Sequence, residues 1–596
     1  MNLTIAALND AYQKNTITPL QLTTTLRAEA EALENVWIHL LSASELQPYL
    51  DNLMEKSPEN CPLWGVPFAI KDNIDLAGIP TTAGCPETSY IPEKSAHVVE
   101  QLIEAGAIPL GKTNLDQFAT GLVGTRSPYG ATPNSFNKDY ISGGSSSGSS
   151  VATASGVVSF ALGTDTAGSG RVPASFNNLI GLKPSKGLLS TSGLVPACRS
   201  IDCISIFSLT ADDARTVFSV AADFDPTDGF ARPNPITNQG CVDIANKFTF
   251  AVPLESQLKF FGDDAYQQGY QTAIAQLESI GGKKVELDFS PMLDAAQLLY
   301  DGPWVAERYV ATKDILLNNP SAMMPVTKTI IEAGAKPTAV DTFEALYKLQ
   351  DLKQLADKLV SSVDVLVTPT AGRHFTLAEI AEEPIVRNSQ LGYYTNFMNL
   401  LDFTAIAVPT SFTDNNMPFG VTLFSAAMTD QMLLTFAKRI QDHNQLPLGA
   451  TKNSYQLTGN AIENSKGFID VVVCGAHLSG MVLNHQLTDR GAILKQVTES
   501  SSNYRMYAVA GKVERPAMIR DEKNGESFVV EVWSLPISEF GSFVQGIAQP
   551  LGIGKVELEN DEYVTGFIAE GYVKEFGNDI SEFKGWRAYQ DQKALT

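Results

Sequence analysis

Two clusters of glycine and serine lie close together between residues 142 and 171 and carry the first candidates for chemistry. A serine hydroxyl can attack a carbonyl carbon, and glycine-rich backbone can aim consecutive N–H groups at the oxyanion that forms. Ser169, which follows Asp-Thr-Ala-Gly, is the candidate nucleophile. Composition alone is equally typical of a flexible linker. The apolar run 157–162 joins the two clusters and predicts a buried strand, preceded by a helix over about 149–155, which a linker would not contain.

A serine hydroxyl is a weak nucleophile at neutral pH, so a base must accept its proton. Histidine is the usual base, but none of the six histidines lies in the serine-rich stretch. They are His39, His97, His374, His443, His477 and His485. The base therefore has to come from another residue type or from elsewhere in the chain.

Three motifs narrow this choice: Gly-Gly-Ser-Ser-Ser-Gly at 143–148, Gly-Thr-Asp-Thr-Ala-Gly-Ser-Gly-Arg-Val-Pro-Ala at 163–174, and Gly-Leu-Lys-Pro-Ser at 181–185. Together they resemble the amidase signature family over roughly residues 1–450. The resemblance implies a Ser-Ser-Lys triad in which Lys71 is the base, Ser145 relays the proton and Ser169 attacks. Without it, Ser145 would be read as a loop or helix-cap hydroxyl.

Lys71 ends the apolar segment Val-Pro-Phe-Ala-Ile and precedes Asp-Asn. Most lysines are solvated surface charges. A strand of this composition instead carries the lysine inward, where loss of hydration lowers the pKa of an amine and makes its neutral form available. We therefore expect Lys71 to be buried and able to accept a proton.

The loop that carries Ser169 is also expected to stabilise the oxyanion. The backbone N–H groups of Thr166, Ala167, Gly168 and Ser169 are the candidate donors, each typically contributing roughly 3 kcal/mol. Many amidases have two glycines before the serine, and the methyl group of Ala167 in this chain indicates a small substrate. Asp165 and Arg171 are expected to brace the loop through hydrogen bonds.

Tyr300 and Arg308 lie in the segment Leu-Leu-Tyr-Asp-Gly-Pro-Trp-Val-Ala-Glu-Arg-Tyr, residues 298–309. Gly302-Pro303 makes one continuous helix across this segment doubtful. Residue types alone favour packing for Tyr300 and a surface ion pair with Glu307 for Arg308. The segment resembles the allophanate hydrolases, however, and this implies that both residues hold the substrate carboxylate, for which the fork of an arginine is suited.

Composition limits the other possibilities. The 596 residues carry a formal net charge of −23 and no basic run, which argues against nucleic acid as a partner. Six scattered cysteines without C-x-x-C pairs fit a reducing compartment and argue against structural zinc. No apolar segment of about 20 residues is present, so we expect a cytoplasmic protein without a membrane span.

Alternating strands and helices predict an α/β fold whose mixed central sheet has helices on both faces. We predict an amidase domain over residues 1–455, a linker over 456–466, and a smaller α+β, barrel-like domain over 467–596. The last domain resembles gamma-glutamylcyclotransferase folds, but 544–550 lacks the carboxylate expected there as general base. His477 is a hydrogen-bonded structural residue or, alternatively, part of a second pocket that assists decarboxylation.

The resemblance implies an allophanate hydrolase that releases ammonia and N-carboxycarbamate, which ends as ammonia and CO2 in urea breakdown. It implies no metal or organic cofactor, a functional link to a biotin-dependent urea carboxylase, and a homodimer. Two alternatives stay open: another small-molecule amidase of the malonamate or glutamine type, and a scaffold subunit without catalysis.

Overall fold

The computed structural model describes residues 1–58, 60–240, 244–457, 468–511 and 513–595. The chain divides into two compact units, the first made of residues 1–234 and 244–457 and the second of the described parts of 235–243 and 458–596. Apart from its first two residues, the predicted linker over 456–466 lies outside the described residues.

Helices and strands alternate along the first unit, as its sequence predicts. Its α-helices are α1 (Ile5–Gln13), α2 (Pro19–Glu31), α3 (Ala43–Met54), α4 (His97–Glu104), α5 (Ser147–Ala154), α6 (Val172–Phe176), α7 (Ala211–Ala221), α8 (Asp264–Ser279), α9 (Ser290–Asp301), α10 (Trp304–Asn318), α11 (Pro325–Glu332), α12 (Ala339–Val360), α13 (Leu377–Glu382), α14 (Val386–Leu391), α15 (Phe397–Leu400) and α16 (Asp430–Asn444). Its strands are β1 (Trp37–Leu40), β2 (Pro67–Lys71), β3 (Ile108–Thr113), β4 (Phe160–Asp165), β5 (Ile180–Lys183), β6 (Cys203–Ser208), β7 (Phe248–Pro253), β8 (Gly282–Leu287), β9 (Val365–Pro369), β10 (Phe403–Phe412) and β11 (Pro418–Ala426).

These strands form one mixed 11-stranded sheet with the order β1-β3-β2-β4-β6-β5-β10-β11-β9-β7-β8. Every residue of β2, β3 and β4 is buried, and because successive side chains point to opposite faces, both faces of the sheet are covered. Phe68 on β2 stacks on Phe160 of β4 with ring centroids 5.1 Å apart. The predicted α/β fold is confirmed.

The sheet brings three chain segments to one edge. β2 pairs in parallel with both β3 and β4, and Lys71 lies opposite Thr113. The carboxyl ends of parallel strands meet at the same edge of a sheet, where ligands commonly bind. Lys71, the segment after Thr113 and the loop after Asp165 therefore share one location.

The predicted break at Gly302-Pro303 is confirmed, because α9 ends at Asp301 and α10 begins at Trp304. Proline lacks the N–H that would continue the helix. Tyr300 and Arg308 consequently lie on two different helices rather than on one.

The second unit is smaller and built mainly of strands. Its elements are β12 (Phe468–Val473), α17 (His485–Thr488), β13 (Ile493–Glu499), β14 (Tyr504–Val509), β15 (Arg515–Arg520), β16 (Val529–Pro536), α18 (Ile537–Gln545), β17 (Leu551–Glu557), β18 (Tyr563–Ala569), β19 (Asn578–Asp579) and α19 (Trp586–Leu595). A five-stranded sheet, β13-β16-β12-β18-β17, and a three-stranded sheet, β15-β14-β19, share one core that includes Val471, Val532 and Met506.

Candidate active site

Lys71 is completely buried at the end of β2, and its amine contacts three hydroxyl groups. Its Nζ lies 2.7 Å from Ser145 Oγ, 3.0 Å from Ser146 Oγ and 2.7 Å from Thr164 Oγ1. A neutral amine donates two of these hydrogen bonds and accepts the third. Ser146 Oγ already donates to the carbonyl of Thr164 at 3.2 Å, which leaves Ser145 and Thr164 as the hydroxyls that can donate to Lys71.

Burial lowers the pKa of Lys71 to about 7, although the charges of Asp116, Asp202 and Asp165 oppose the shift. No carboxylate of the described residues lies within ion-pair distance of this amine. Because desolvation penalises the ammonium, much of Lys71 is neutral near pH 7 and can act as a base.

Ser145 is held at the start of α5 by backbone contacts that do not involve its hydroxyl. The Gly144–Ser145 peptide bond is cis. Asp116 N donates to the Ser145 carbonyl at 3.0 Å, and Gly144 N donates to the Leu122 carbonyl at 2.9 Å. The Ser145 hydroxyl is therefore free to exchange a proton with Lys71.

Ser169 lies in the loop after β4, which Asp165 organises. The Asp165 carboxylate accepts N–H groups from Gly168 at 2.9 Å and Gly170 at 3.0 Å, and pairs with Arg171 at 2.9 Å. Burial disfavours the carboxylate charge, but the Arg171 guanidinium keeps the pKa of Asp165 below its ordinary value. Asp165 and Arg171 thus brace the loop in the expected way.

The Ser169 hydroxyl donates to the Gly121 carbonyl at 3.4 Å. Gly121 directly precedes Leu122, whose carbonyl accepts the Gly144 N–H. The turn that begins at residue 121 therefore contacts both serine-bearing loops. Lys71 and Ser145 are thus in direct contact. Ser169 contacts the turn that also contacts the Ser145 loop.

The predicted oxyanion donors do not all stay available. Gly168 N–H points to the Asp165 carboxylate, so Gly168 is removed from the set. The N–H groups of Ala167 and Ser169 meet no acceptor in the described part of the chain. Thr166 is fixed by its hydroxyl, which donates to Asp202 at 2.5 Å. The backbone N–H of Thr166 likewise meets no acceptor in the described residues, so Thr166, Ala167 and Ser169 remain the candidate donors.

Arg308 is buried rather than exposed, so the alternative of a surface ion pair with Glu307 is wrong. Its Nη1 donates to Thr120 Oγ1 at 3.1 Å and to the Ala119 carbonyl at 3.4 Å. Its guanidinium carbon lies 6.0 Å from the centroid of the Tyr300 ring. No carboxylate of the described residues pairs with it. A buried guanidinium next to the turn at 121–126 can bind the carboxylate of a ligand.

Two residues around this site were missed by the motif analysis. Asp202 is buried, and accepts N–H groups from Ala197 at 2.8 Å and Cys198 at 3.1 Å. Arg126 is also buried and donates to the carbonyls of Thr120 and Pro384, while its Nε has no partner in the described residues. For Arg126 the available signal was a charged residue inside the glycine-rich segment 121–130, whereas no comparable pattern surrounds Asp202.

In the second unit, His477 packs between aromatic rings. Its ring stacks on Phe567 with centroids 5.0 Å apart, and Nε2 lies 3.0 Å from Gln486 Oε1. Burial lowers the pKa of His477, so the ring is neutral near pH 7. It lines a cavity together with Arg515, Cys474 and other residues.

A buried carboxylate lies close to this part of the second unit, although 544–550 lacks one. Glu531, on β16, accepts the Ser479 N–H at 2.7 Å and Trp533 Nε1 at 3.0 Å. It also pairs with Arg587 at 2.9 Å. These three partners indicate that Glu531 has a structural role, in which it holds the loop 475–480.

Among the described residues, no group of three or more His, Cys, Asp or Glu side chains is arranged to hold a metal ion. No helix in the same part of the chain is long and apolar enough to cross a membrane.

Residues 22–434 match the family model described as Amidase, and residues 469–591 match the model described as the allophanate hydrolase C-terminal domain. The chain is 43% identical to urea amidolyase of Saccharomyces cerevisiae over 580 residues, which cover 94% of this chain and 31% of that protein. It is 30% identical to a glutamyl-tRNA(Gln) amidotransferase subunit of Methanosarcina acetivorans over 462 residues, covering 70% of this chain and 96% of that one.

The structure of Kluyveromyces lactis allophanate hydrolase matches with a TM-score of 0.83 and 40% identity, covering 99% of each chain. By contrast, the chain spans about a third of the length of the urea amidolyases from S. cerevisiae and Lachancea kluyveri, 31% and 32% respectively. The chain belongs to the amidase family. More narrowly, it combines the amidase domain with the allophanate hydrolase C-terminal domain, so the resemblance drawn from the motifs is confirmed.

Proposed function

We propose that this chain hydrolyses allophanate, releasing ammonia from the terminal amide and forming N-carboxycarbamate. The observation that carries the proposal is Arg308, a buried guanidinium without a carboxylate partner in the described residues, next to the turn that accepts the Ser169 hydroxyl. Allophanate has one carboxylate beside a terminal amide, so it fits a site with one cation and one nucleophile. Similarity to K. lactis allophanate hydrolase supports the same substrate.

In the proposed reaction Ser169 Oγ attacks the amide carbonyl while its proton passes through Ser145 to neutral Lys71. The N–H groups of Thr166, Ala167 and Ser169 are the candidate donors that stabilise the oxyanion. As the intermediate collapses, the C–N bond breaks and the proton returns through Ser145 to the leaving nitrogen, which departs as ammonia. Water then attacks the acyl-Ser169 ester, gives its proton to the same relay, and releases N-carboxycarbamate and the free serine.

Tyr300 and Arg308 are proposed to hold the substrate carboxylate. Arg308→Gln keeps a hydrogen-bonding group but removes the charge, so we expect kcat/KM to fall about 100-fold for allophanate and malonamate and less than about threefold for neutral biuret. Ammonia release from allophanate, biuret, malonamate and glutamine measures this. Glu307→Gln, one residue away on α10, is the matched control and should leave all four rates nearly unchanged.

The same substrate panel separates the other candidate functions. Preference for malonamate or glutamine over allophanate would identify a different small-molecule amidase. Equal losses on charged and neutral amides in Arg308→Gln would contradict a carboxylate clamp. Absence of ammonia release from every substrate, with no labelling of Ser169 by a serine-directed fluorophosphonate, would indicate a scaffold subunit without catalysis.

For the second unit we propose that His477 assists decarboxylation of N-carboxycarbamate to ammonia and CO2. Support comes from its position in a cavity with Arg515, a cation suited to an anionic ligand. His477→Ala should leave the first ammonia unchanged and slow CO2 release about tenfold or more, followed as separate time courses. His485→Ala, which removes an exposed histidine, is the control, and equal CO2 kinetics in both variants would contradict the role of His477.

The biological setting is proposed on the same basis. A biotin-dependent urea carboxylase would supply allophanate, and the similarity to urea amidolyases supports a link to urea breakdown. A homodimer in the cytoplasm is the arrangement that we propose, and sedimentation equilibrium of the purified chain tests the oligomeric part.

A further inference from the structure

Asp116 lies three residues beyond β3, whose last residue, Thr113, pairs with Lys71. Its carboxylate is completely buried and accepts three backbone N–H groups of one turn. Oδ2 accepts from Val123 at 3.2 Å and Gly124 at 3.0 Å, and Oδ1 accepts from Arg126 at 2.8 Å. No cation of the described residues lies within ion-pair distance of this carboxylate.

The turn that Asp116 holds is the one that contacts both serine loops. Its Gly121 carbonyl accepts the Ser169 hydroxyl at 3.4 Å, and its Leu122 carbonyl accepts the Gly144 N–H at 2.9 Å. The backbone of Asp116 adds a direct link, because its N–H donates to the Ser145 carbonyl at 3.0 Å. One residue is therefore tied to the relay serine and, through the turn, to the nucleophile.

Packing around the carboxylate leaves no spare room. A Cβ atom added to Gly121 would lie 2.6 Å from Asp116 Oδ2, and one added to Gly144 would collide with the same oxygen. Glycine at these two positions is thus explained by the close approach of Asp116. A longer side chain at 116 could not keep the same contacts without moving one of the serine loops.

Asp116 also acts on Lys71 through its charge. The charged groups that influence the lysine are Asp116, Asp202 and Asp165, which favour its protonated form, and Arg308, which disfavours it. Asp116 is the largest of these charge contributions, and its carboxylate is held in place by three backbone N–H groups.

We infer that Asp116 is a positioning residue that fixes the turn at 121–126 between the two serine loops and places a negative charge near Lys71. The inference rests on the proposed Ser169–Ser145–Lys71 chemistry and adds to it a residue that sets both geometry and protonation. A residue with only a structural role would change the rate but not the pH at which the base titrates.

The test is the pH dependence of Ser169 labelling by a fluorophosphonate, measured on the full chain with Asp116→Asn, Asp116→Glu and wild type. Asp116→Asn turns side-chain N–H groups towards the backbone N–H groups that the carboxylate accepts, so we expect labelling about tenfold or more slower. It also removes the negative charge that favours protonated Lys71, so we expect an acid midpoint of labelling about one pH unit lower. Asp116→Glu keeps the charge but not the fit, so labelling should slow about tenfold with the midpoint unchanged. Asp213→Asn, which removes another buried carboxylate that accepts a backbone N–H, should match wild type in both.

An unmoved acid midpoint in Asp116→Asn would overturn the inference. Labelling of Asp116→Glu at the wild-type rate would also overturn it, and this second comparison stays informative if Asp116→Asn does not fold. Thermal unfolding of each variant identifies that case. Failure of the proposed Ser169–Ser145–Lys71 chemistry gives a different result, because wild-type Ser169 would then not be labelled at any pH, and the substrate panel tests the identity of the substrate separately.

Discussion

Lys71→Ala should lower kcat/KM for ammonia release from allophanate by about 10⁴-fold, the upper range for loss of a general base. The amine is completely buried and contacts the Ser145 hydroxyl at 2.7 Å, so removing it leaves the relay without a proton acceptor. None of the six histidines is among the groups in contact with Ser145 or Ser169 in the described residues, so we expect no substitute base.

Loss of any buried lysine also changes packing, so the comparison needs a second buried lysine. Lys183 is completely buried on β5, where its amine donates to the Pro184 carbonyl at 2.8 Å. Lys71→Met and Lys183→Met make the same change in size and charge. We expect Lys183→Met to keep activity within about tenfold of wild type. Comparable losses in the two variants would contradict a catalytic role for Lys71.

Ser169→Ala should lower kcat by about 10⁶-fold, since removal of a catalytic serine leaves only substrate binding and oxyanion stabilisation. Intact mass spectrometry should show the acyl adduct and the fluorophosphonate adduct on wild type and neither on this variant.

Ser146→Ala provides the matched control for Ser169→Ala. It also removes a buried serine hydroxyl, but one that accepts a hydrogen bond from Lys71 at 3.0 Å and donates its own proton to the Thr164 carbonyl at 3.2 Å. We expect a loss of about tenfold or less and retention of the adduct. A covalent adduct on Ser145 or another residue in wild type would contradict Ser169 as the nucleophile.

Much of this site was predictable because its residues lie in short motifs. The apolar residues before Lys71 predicted a buried strand, and the structure has β2 over Pro67–Lys71. The predicted helix and strand around the serine loops correspond to α5 and β4, with bounds shifted by two or three residues at their starts. Proline after glycine predicted the break between α9 and α10, because proline cannot continue the hydrogen-bonding pattern of a helix.

Long-range contacts explain what residue types alone could not predict. Arg308 meets Thr120, which is 188 residues away in sequence, and no local pattern distinguishes such a guanidinium from one on the surface. Occupation of the Gly168 N–H by Asp165 depends on the loop conformation rather than on composition. The contact of the Asp116 N–H with the Ser145 carbonyl likewise joins two loops that are separate in sequence.

From the sequence, we expect strands of the second unit to begin at Phe468 and to lie over about 504–508, 527–534 and 563–569. Phe468–Val473 was found, whereas Ile493–Glu499, with Lys495, Gln496 and Thr498 within it, was not. Half-buried and exposed residues do not alternate regularly along this strand, so it lacks the period-2 signal of a strand with one face on the core. Glu531 was missed for a related reason, since it lies within a strand rather than in the helix and loop where a carboxylate was expected.

The most direct test of the account is kcat/KM for ammonia release from allophanate, measured from about pH 5 to about pH 9. Burial places the pKa of Lys71 at about 7, and only the neutral amine accepts a proton. Activity should therefore be present above this pKa and be lost as the pH falls through about 7, while the residual rate of Lys71→Met lacks this midpoint. The same midpoint in Lys71→Met, or full wild-type activity at pH 5, would contradict a neutral lysine as the base.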